Sequence, residues 1–187
     1  MGIPCAGPFR KGGPAVLHKF ETFDQIDPRR LMDIYQESNT ENLDYFYPDA
    51  PDKMAMLPQL EQNFLHFVET DFFSKPGNTY FVLEESGVWR SALRLYRIEE
   101  GIYYIEALET RPDSRLRGCA ARLLNGVIAE LQKGGPFRLC DCVNKKNLPS
   151  LKTHQKCGFS IASDSGMDYR RGESRDKSYG MEYRWEK

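Results

Sequence analysis

The segment Gly101-Ile-Tyr-Tyr-Ile-Glu-Ala-Leu-Glu-Thr110 continues through Arg111-Pro-Asp-Ser-Arg-Leu-Arg-Gly-Cys-Ala120 into Ala121-Arg-Leu-Leu-Asn-Gly-Val-Ile-Ala-Glu-Leu-Gln132. Its first part reads as a strand. Its last part sets Ala120, Leu123, Leu124, Val127, Ile128 and Leu131 at the i, i+3, i+4, i+7 spacing of a helix that buries one face. Between the two lies a basic turn with a glycine. A helix N-terminus leaves backbone N–H groups unpaired and carries partial positive charge, so it suits an anion such as a diphosphate. Gly118 lets a phosphate approach the backbone, and Arg115 and Arg117 add charge beside it. The junction is a candidate site for a phosphate-bearing cofactor.

Two familiar phosphate loops do not fit. A Walker loop needs Lys-Ser or Lys-Thr after a glycine, and the dinucleotide fingerprint needs three glycines at fixed offsets. The pattern Arg115-x-x-Gly118-x-Ala120, with Pro112 three residues upstream, resembles the acyl-CoA loop of the GNAT superfamily of N-acetyltransferases, Gln/Arg-x-x-Gly-x-Gly/Ala at a strand-to-helix junction. A second stretch follows the strand-like run Phe137-Arg-Leu-Cys-Asp-Cys-Val143. There Asn147, Ser150, Lys156, Gly158 and Phe159 match, in register, that family's Asn-x-x-Ala/Ser and x-Lys-x-Gly-Phe signature. His154 departs from it, standing where the family usually has Tyr. The motifs lie within residues 101–159, and the element order matches from residue 15 to 187.

The resemblance implies an acetyl-CoA-dependent N-acetyltransferase. Its pantetheine arm would lie along Leu108, Glu109 and Thr110, in a gap between two splayed strands. Its diphosphate would rest on the backbone from Arg115 to Ala120, including Arg117, Gly118 and Cys119. Asn147 and Ser150 would hold the arm from the other side. Backbone N–H groups near Leu108 to Thr110 would form an oxyanion hole.

Acetyl transfer to an amine needs a neutral nucleophile, a stabilised oxyanion and a proton for the departing thiolate. An alkylamine with a pKa of about 10.4 must lose a proton first. Glu106 and Glu109 are the candidate bases. Alternation puts them on opposite faces unless a bulge intervenes, and Glu106 is favoured by its place in the resemblance. Otherwise Glu106 only caps a solvent-facing pleat. His154 either donates the thiolate's proton, more readily than a phenol, or is a helix-surface histidine. Glu41, Tyr45, Tyr47, Arg94 and Tyr96 are candidate lining residues for a primary amine acceptor, a small molecule or a peptide. A non-catalytic acyl-CoA-binding or sensing protein is the alternative.

The remaining composition narrows the field. A chain of 187 residues is one domain's worth. A net charge of -1 argues against a general nucleic-acid or membrane surface. Five cysteines without a Cys-x-x-Cys pair argue against a disulfide scaffold or a zinc cage and for a reducing cytoplasm, with no metal expected. Cys140 and Cys142 alternate along a strand as packing residues.

Met1 to Pro14, rich in Gly and Pro, reads as a flexible tail before a domain spanning 15–187. Ala15 to Phe23 reads as a strand. Asp27-Pro28 starts a helix with Leu31, Ile34 and Tyr35 on its apolar face; Glu41 to Pro51 reads as that helix's end and a loop. Met54 to Phe73 is a second helix. Residues 79–83, 88–98 and the key strand form a meander. Asp164 to Lys177 is a charged connection, and Tyr179, Met181, Tyr183 and Trp185 share one face of a last strand. This order, that of the GNAT fold, predicts one α/β domain. Its sheet is mixed and mostly antiparallel, of about seven strands with about four helices, and one strand pair splays around the cofactor. The last strand would be interior or would pair across a dimer, so monomer and homodimer both remain open.

Overall fold

The computed structural model describes residues 15–186, so the tail predicted over residues 1–14 lies outside the described residues. A sheet runs through the molecule in the order β1 (Ala15–Phe20), β2 (Thr79–Glu85), β3 (Val88–Glu99), β4 (Ile102–Thr110), β5 (Phe137–Asn144), β9 (Ser178–Trp185), β6 (Ser160–Ser163). Only β4 and β5 run parallel; the other neighbours are antiparallel. The last strand is therefore interior, flanked by β5 and β6.

Both faces of the sheet are covered, which is why β2 is buried on both. Tyr80 and Val82 face one side, with Ala92, Tyr96 and Tyr104. Helices α1 (Pro28–Phe46) and α2 (Leu57–Phe67) close this side through Leu31, Ile34, Tyr35 and the Val68 and Phe72 that follow α2. Phe81, Leu83, Leu93 and Ile105 face the other side, under α3 (Cys119–Leu131) and α4 (Leu148–Lys156). Leu123, Leu124 and Val127 are fully buried there. Each such side chain stabilises the fold by roughly 1.5–3 kcal/mol. Met181, with Tyr179, Tyr183 and Trp185 packed around it, joins the same core, as the alternation of β9 predicts.

Local chemistry sets the ends. The Asp27 carboxylate accepts from the Arg30 N–H at 3.1 Å and Pro28 opens α1. That helix runs on to Phe46, past the Glu41 expected as its end. Pro48 stops it, because the residue before a proline is excluded from helical geometry, and Tyr47 has φ -131°. Between Met54 and Phe72 the chain is helical throughout, opening with a 3-10 turn and ending in a π turn after α2.

The stretch 164–177 departs from the sequence reading. It holds a two-stranded hairpin, β7 (Gly166–Asp168) and β8 (Glu173–Arg175), packed beside β5 and β9. Its organiser is Asp168, buried, which accepts from the N–H groups of Arg170 and Arg171 at 3.1 and 3.3 Å and pairs with Arg175 at 2.5 Å.

Candidate active site

The site begins where β4 and β5 part. They pair from Ile102–Arg138 to Ile105–Asp141, yet β4 continues to Thr110 and β5 to Asn144. Past Ile105, β4 keeps its β3 partner and has no strand on its other side. A gap with strand backbone on one wall results.

At that point β4 carries a bulge. Glu106 pairs with Arg94 but Glu109 pairs with Ala92, so one extra residue sits on β4. Ala107 takes it up with φ 54°, a left-handed conformation costing about 1–2 kcal/mol in a residue with a Cβ. Its carbonyl accepts from the Tyr35 hydroxyl at 2.8 Å, and Tyr35 in turn accepts from Tyr80 at 2.8 Å. The bulge shifts the alternation, so Glu106 and Glu109 both turn toward α1 and α2. Leu108 turns to the α3 side and packs on that core.

Glu106 is held by three groups. Tyr96 Oη donates to Oε2 at 2.9 Å, Arg94 Nη2 lies 3.0 Å from Oε2, and Arg170 Nε lies 3.4 Å from Oε1. It does not cap a solvent-facing pleat. Glu109 is partly buried, and that burial pushes its carboxyl above the usual carboxylate range despite the nearby Thr110 N–H and Arg115.

After β4 the chain makes a short turn, Pro112–Ser114, fixed by Ser114, which is buried and accepts from Arg90 Nη1 at 3.1 Å. Leu116 (φ 60°) and Gly118 (φ 77°) then adopt left-handed backbone, and Gly118 caps α3 without a side-chain hydrogen bond. The first backbone bond of the helix is Arg122 N–H to Gly118 O at 3.0 Å, so the amides of the first turn stay open. A Cβ built on Gly118 meets nothing within 4 Å. Arg115 turns inward to Glu37 of α1 and to Glu109, 3.3 Å away. Arg122 turns to Glu85. Arg117 has no ion-pair partner among the described residues. Cys119 is buried, and burial raises its thiol.

Across the gap, Asn147 caps α4, its Oδ1 accepting from the Ser150 N–H at 3.1 Å, and stays exposed. His154 is fully buried, not on the helix surface. Its Nε2 lies 2.7 Å from Asp141 Oδ2 and its Nδ1 2.9 Å from the Ser150 carbonyl. Both partners are acceptors, an arrangement that a doubly protonated ring satisfies on both nitrogens. Burial opposes that charge, but the hydrogen bond and charge of Asp141 outweigh it and raise the ring's pKa. The Ser150 hydroxyl lies 3.4 Å from Nδ1.

A cavity of about 340 Å³ opens on the α1–α2 side; Glu106 is not in its lining but pairs with two residues that are, Arg94 and Arg170. Phe46, Tyr47, Phe64 and Phe67 wall it, with Arg94 beneath and Arg170 and Arg171 from the hairpin at its edge. Of the residues expected to line an acceptor site, Tyr47 and Arg94 do so and Tyr96 stands behind Glu106. Glu41 and Tyr45 are exposed and take no part. The two arginines of the hairpin were missed, for their only signal is the Arg-Arg-Gly172 turn in a polar stretch. A larger hollow of about 480 Å³ lies against α1 and α2 alone, with no residue of β4 or α3 in its lining. Among the described residues no cluster of side chains fits a metal ion, and no helix is long and apolar enough to cross a membrane. Four cysteines, Cys119, Cys140, Cys142 and Cys157, are free.

Residues 30–159 match the family model described as the acetyltransferase (GNAT) family. Comparison with curated proteins found no match. Among solved structures, the chain is similar to the ribosomal-protein-S18-alanine N-acetyltransferase of Escherichia coli, with TM-score 0.61, 17% identity, and 93% of this chain and 96% of that chain covered. It is also similar to the paiA N-acetyltransferase of Thermoplasma acidophilum in complex with coenzyme A, with TM-score 0.59, 12% identity, and 91% and 99% covered. A third is yncA of Salmonella typhimurium, a putative acetyltransferase with its cofactor acetyl-CoA, with TM-score 0.55, 15% identity, and 94% and 96% covered. At such identities these likenesses concern the fold.

Proposed function

The chain belongs to the GNAT acetyltransferase family, an acetyltransferase with acetyl-CoA as co-substrate, and on that premise we propose that it moves the acetyl group to a primary amine by direct attack. The observation that carries this reading is the gap beyond Ile105–Asp141, with open strand backbone on one side and an uncapped helix N-terminus at its end.

The residues present fit the co-substrate. The vacant space over Gly118 lets a diphosphate reach the first-turn amides from Gly118 to Ala120. Arg117 is the charge available to it, while Arg115 tethers the loop to α1 through Glu37. The unpaired edge of β4 at Leu108, Glu109 and Thr110 receives the pantetheine amides, and the side-chain N–H₂ of Asn147 donates from α4, with Ser150 next to it. Acetyl-CoA supplies an activated thioester. The protein supplies position, dipoles and a base.

In this reading Glu106 takes the amine's proton, directly or through one water, since it adjoins the bulge and pairs with Arg94 and Arg170 of the cavity wall. Backbone N–H groups just past Ala107 stabilise the negative charge that develops on the acetyl oxygen, an effect typically worth about 3 kcal/mol per donor. The amine's proton, once passed to solvent, balances the one taken up by the departing thiolate. His154 is a positioning residue: through Asp141 it ties α4 to β5 and so sets where Asn147 and Ser150 stand. One observation favours Glu109 as the base instead, its raised carboxyl on the same face. Glu106→Gln and Glu109→Gln, compared for kcat with a panel of amines and for acetyl-CoA affinity, test the assignment. We expect Glu106→Gln to lose roughly 100-fold or more in kcat with affinity little changed. A larger loss in Glu109→Gln would move the role to that residue.

A further inference from the structure

Arg94 is an unusual resident of the sheet's α1–α2 face. It is 8% exposed, and it lies under Phe64 and Phe67, with its guanidinium carbon 5.3 and 5.1 Å from their ring centres. One of its nitrogens, Nη2, is paired with Glu106. The other two, Nε and Nη1, are buried without an acceptor, and the buried Nε of Arg170 has only its ion pair with Glu106 at 3.4 Å, without hydrogen-bond geometry. A buried donor that has lost water and gained no partner is destabilising, so such groups call for an explanation. Both arginines line the same cavity, and the exposed Arg171 stands with them at its edge.

The charge around that cavity is unequal. Three guanidinium groups face it, and Glu106, behind two of them, is the one carboxylate in contact. No Asp or Glu is among the lining residues; their other polar members are neutral, Asn39, Asn42, Asn63 and Tyr47. An acceptor with only an amine would bring a fourth positive charge next to these three. An acceptor with a carboxylate beyond its amine would give the orphaned N–H groups the partner they lack. Planar carboxylates match the guanidinium fork and form short charge-assisted bonds. Phe67 stacks against Arg94 and Arg170 alike, each at 5.1 Å, which holds both forks in place before anything binds. The hairpin exists in part to deliver Arg170 and Arg171, since the buried Asp168 fixes the turn that bears them.

We propose that the acceptor is an amine bearing a carboxylate, such as an amino acid, with its carboxylate on Arg94, Arg170 and Arg171 and its amine toward Glu106 and the bulge. This rests on the acetyl-transfer reading above and narrows it. The cavity's aromatic walls then hold an apolar body between the two ends.

The test uses the full chain saturated with coenzyme A. N-acetyl derivatives of glycine, phenylalanine and glutamate, and the corresponding carboxamides, are titrated calorimetrically, with acetyl-CoA titrated separately. We expect at least one N-acetyl amino acid to bind about tenfold or more tightly than its carboxamide, and the ratio to fall below about threefold in Arg170→Gln and in Arg171→Gln. Both positions lie in the hairpin's turn, and thermal melting checks that each variant folds. Matched amino acids and their amides, assayed for acetylation, should show the same order, although the amides have the less basic amines. Equal or tighter binding of the carboxamides, a preference untouched by either substitution, or no binding of any derivative would overturn the proposal. Acetyl-CoA binding in the same sample would then leave the acetyl-transfer reading standing, whereas failure of acetyl-CoA to bind would remove both.

Discussion

His154 is where the family's usual Tyr is replaced, and its surroundings explain how a histidine is tolerated there. Asp141 and the Ser150 carbonyl accept from its two nitrogens, so the charged ring is satisfied in a place where an unpaired one would not survive. Its raised pKa has a consequence for stability. Relative to an unfolded value of about 6.5, the folded ring holds its proton to higher pH. The pair therefore stabilises fully below about pH 6.5 and loses that contribution as pH rises through the folded value. Asp141→Asn should cost about 3 kcal/mol near pH 6 and clearly less at pH 9. Urea unfolding of both proteins at the two pH values measures this, and a deficit that does not change with pH would contradict the charged pair. Ala107 makes a second prediction. Because its left-handed backbone is costly, Ala107→Gly should leave the protein as stable or raise its stability by up to about 1 kcal/mol. An ordinary strand position would instead lose about that much, and thermal melting separates the two.

Strand β4 and helix α3 form the unit that makes the site, and their sequence revealed them unevenly. The helix and its glycine turn were legible because the apolar spacing from Ala120 to Leu131 has one reading. The bulge was not: nothing in Glu-Ala-Leu-Glu109 marks Ala107 as left-handed, and the side to which Glu109 turns depends on it. The bulge is held by α1, through the Tyr35 hydroxyl, an interaction across 72 residues of chain that no local pattern encodes. Tyr35→Phe should therefore destabilise by about 1 kcal/mol and lower kcat more than it weakens acetyl-CoA binding, because the proposed oxyanion donors lie next to that carbonyl. Steady-state kinetics with parallel calorimetry would detect the split; an affinity loss with kcat unchanged would place the bulge's role elsewhere. The hairpin 166–175 was hidden for another reason. Its strands are three residues each, and a buried carboxylate, not an apolar stripe, holds it together.

Across the whole molecule, periodicity and order gave away the architecture. The elements follow from alternation, helical stripes and the turn residues between them; that about seven strands form one mixed sheet flanked by helices followed from the resemblance of their order to the GNAT fold. The length of α1 followed less well, because Asn39 and Leu43 continue its buried face past the point where polar residues suggest an end. What sequence left open was convergence: Arg94 from the sheet, aromatic residues from α1 and α2, and two arginines from a hairpin after β6 meet beside Glu106. In the proposed reading the two sides of the site have separate chemistry, open backbone amides for a diphosphate and side-chain guanidinium groups for an acceptor.

The most direct test of this arrangement is calorimetric titration of acetyl-CoA into the protein and into Gly118→Ala, side by side. A Cβ at Gly118 touches no protein atom, so the substitution costs the fold only its backbone strain, about 1 kcal/mol, while it fills the space over the first-turn amides. The account predicts saturable one-to-one binding by the parent protein and binding at least about tenfold weaker by a folded Gly118→Ala. Equal affinity in the two, or no binding by the folded parent, would contradict it.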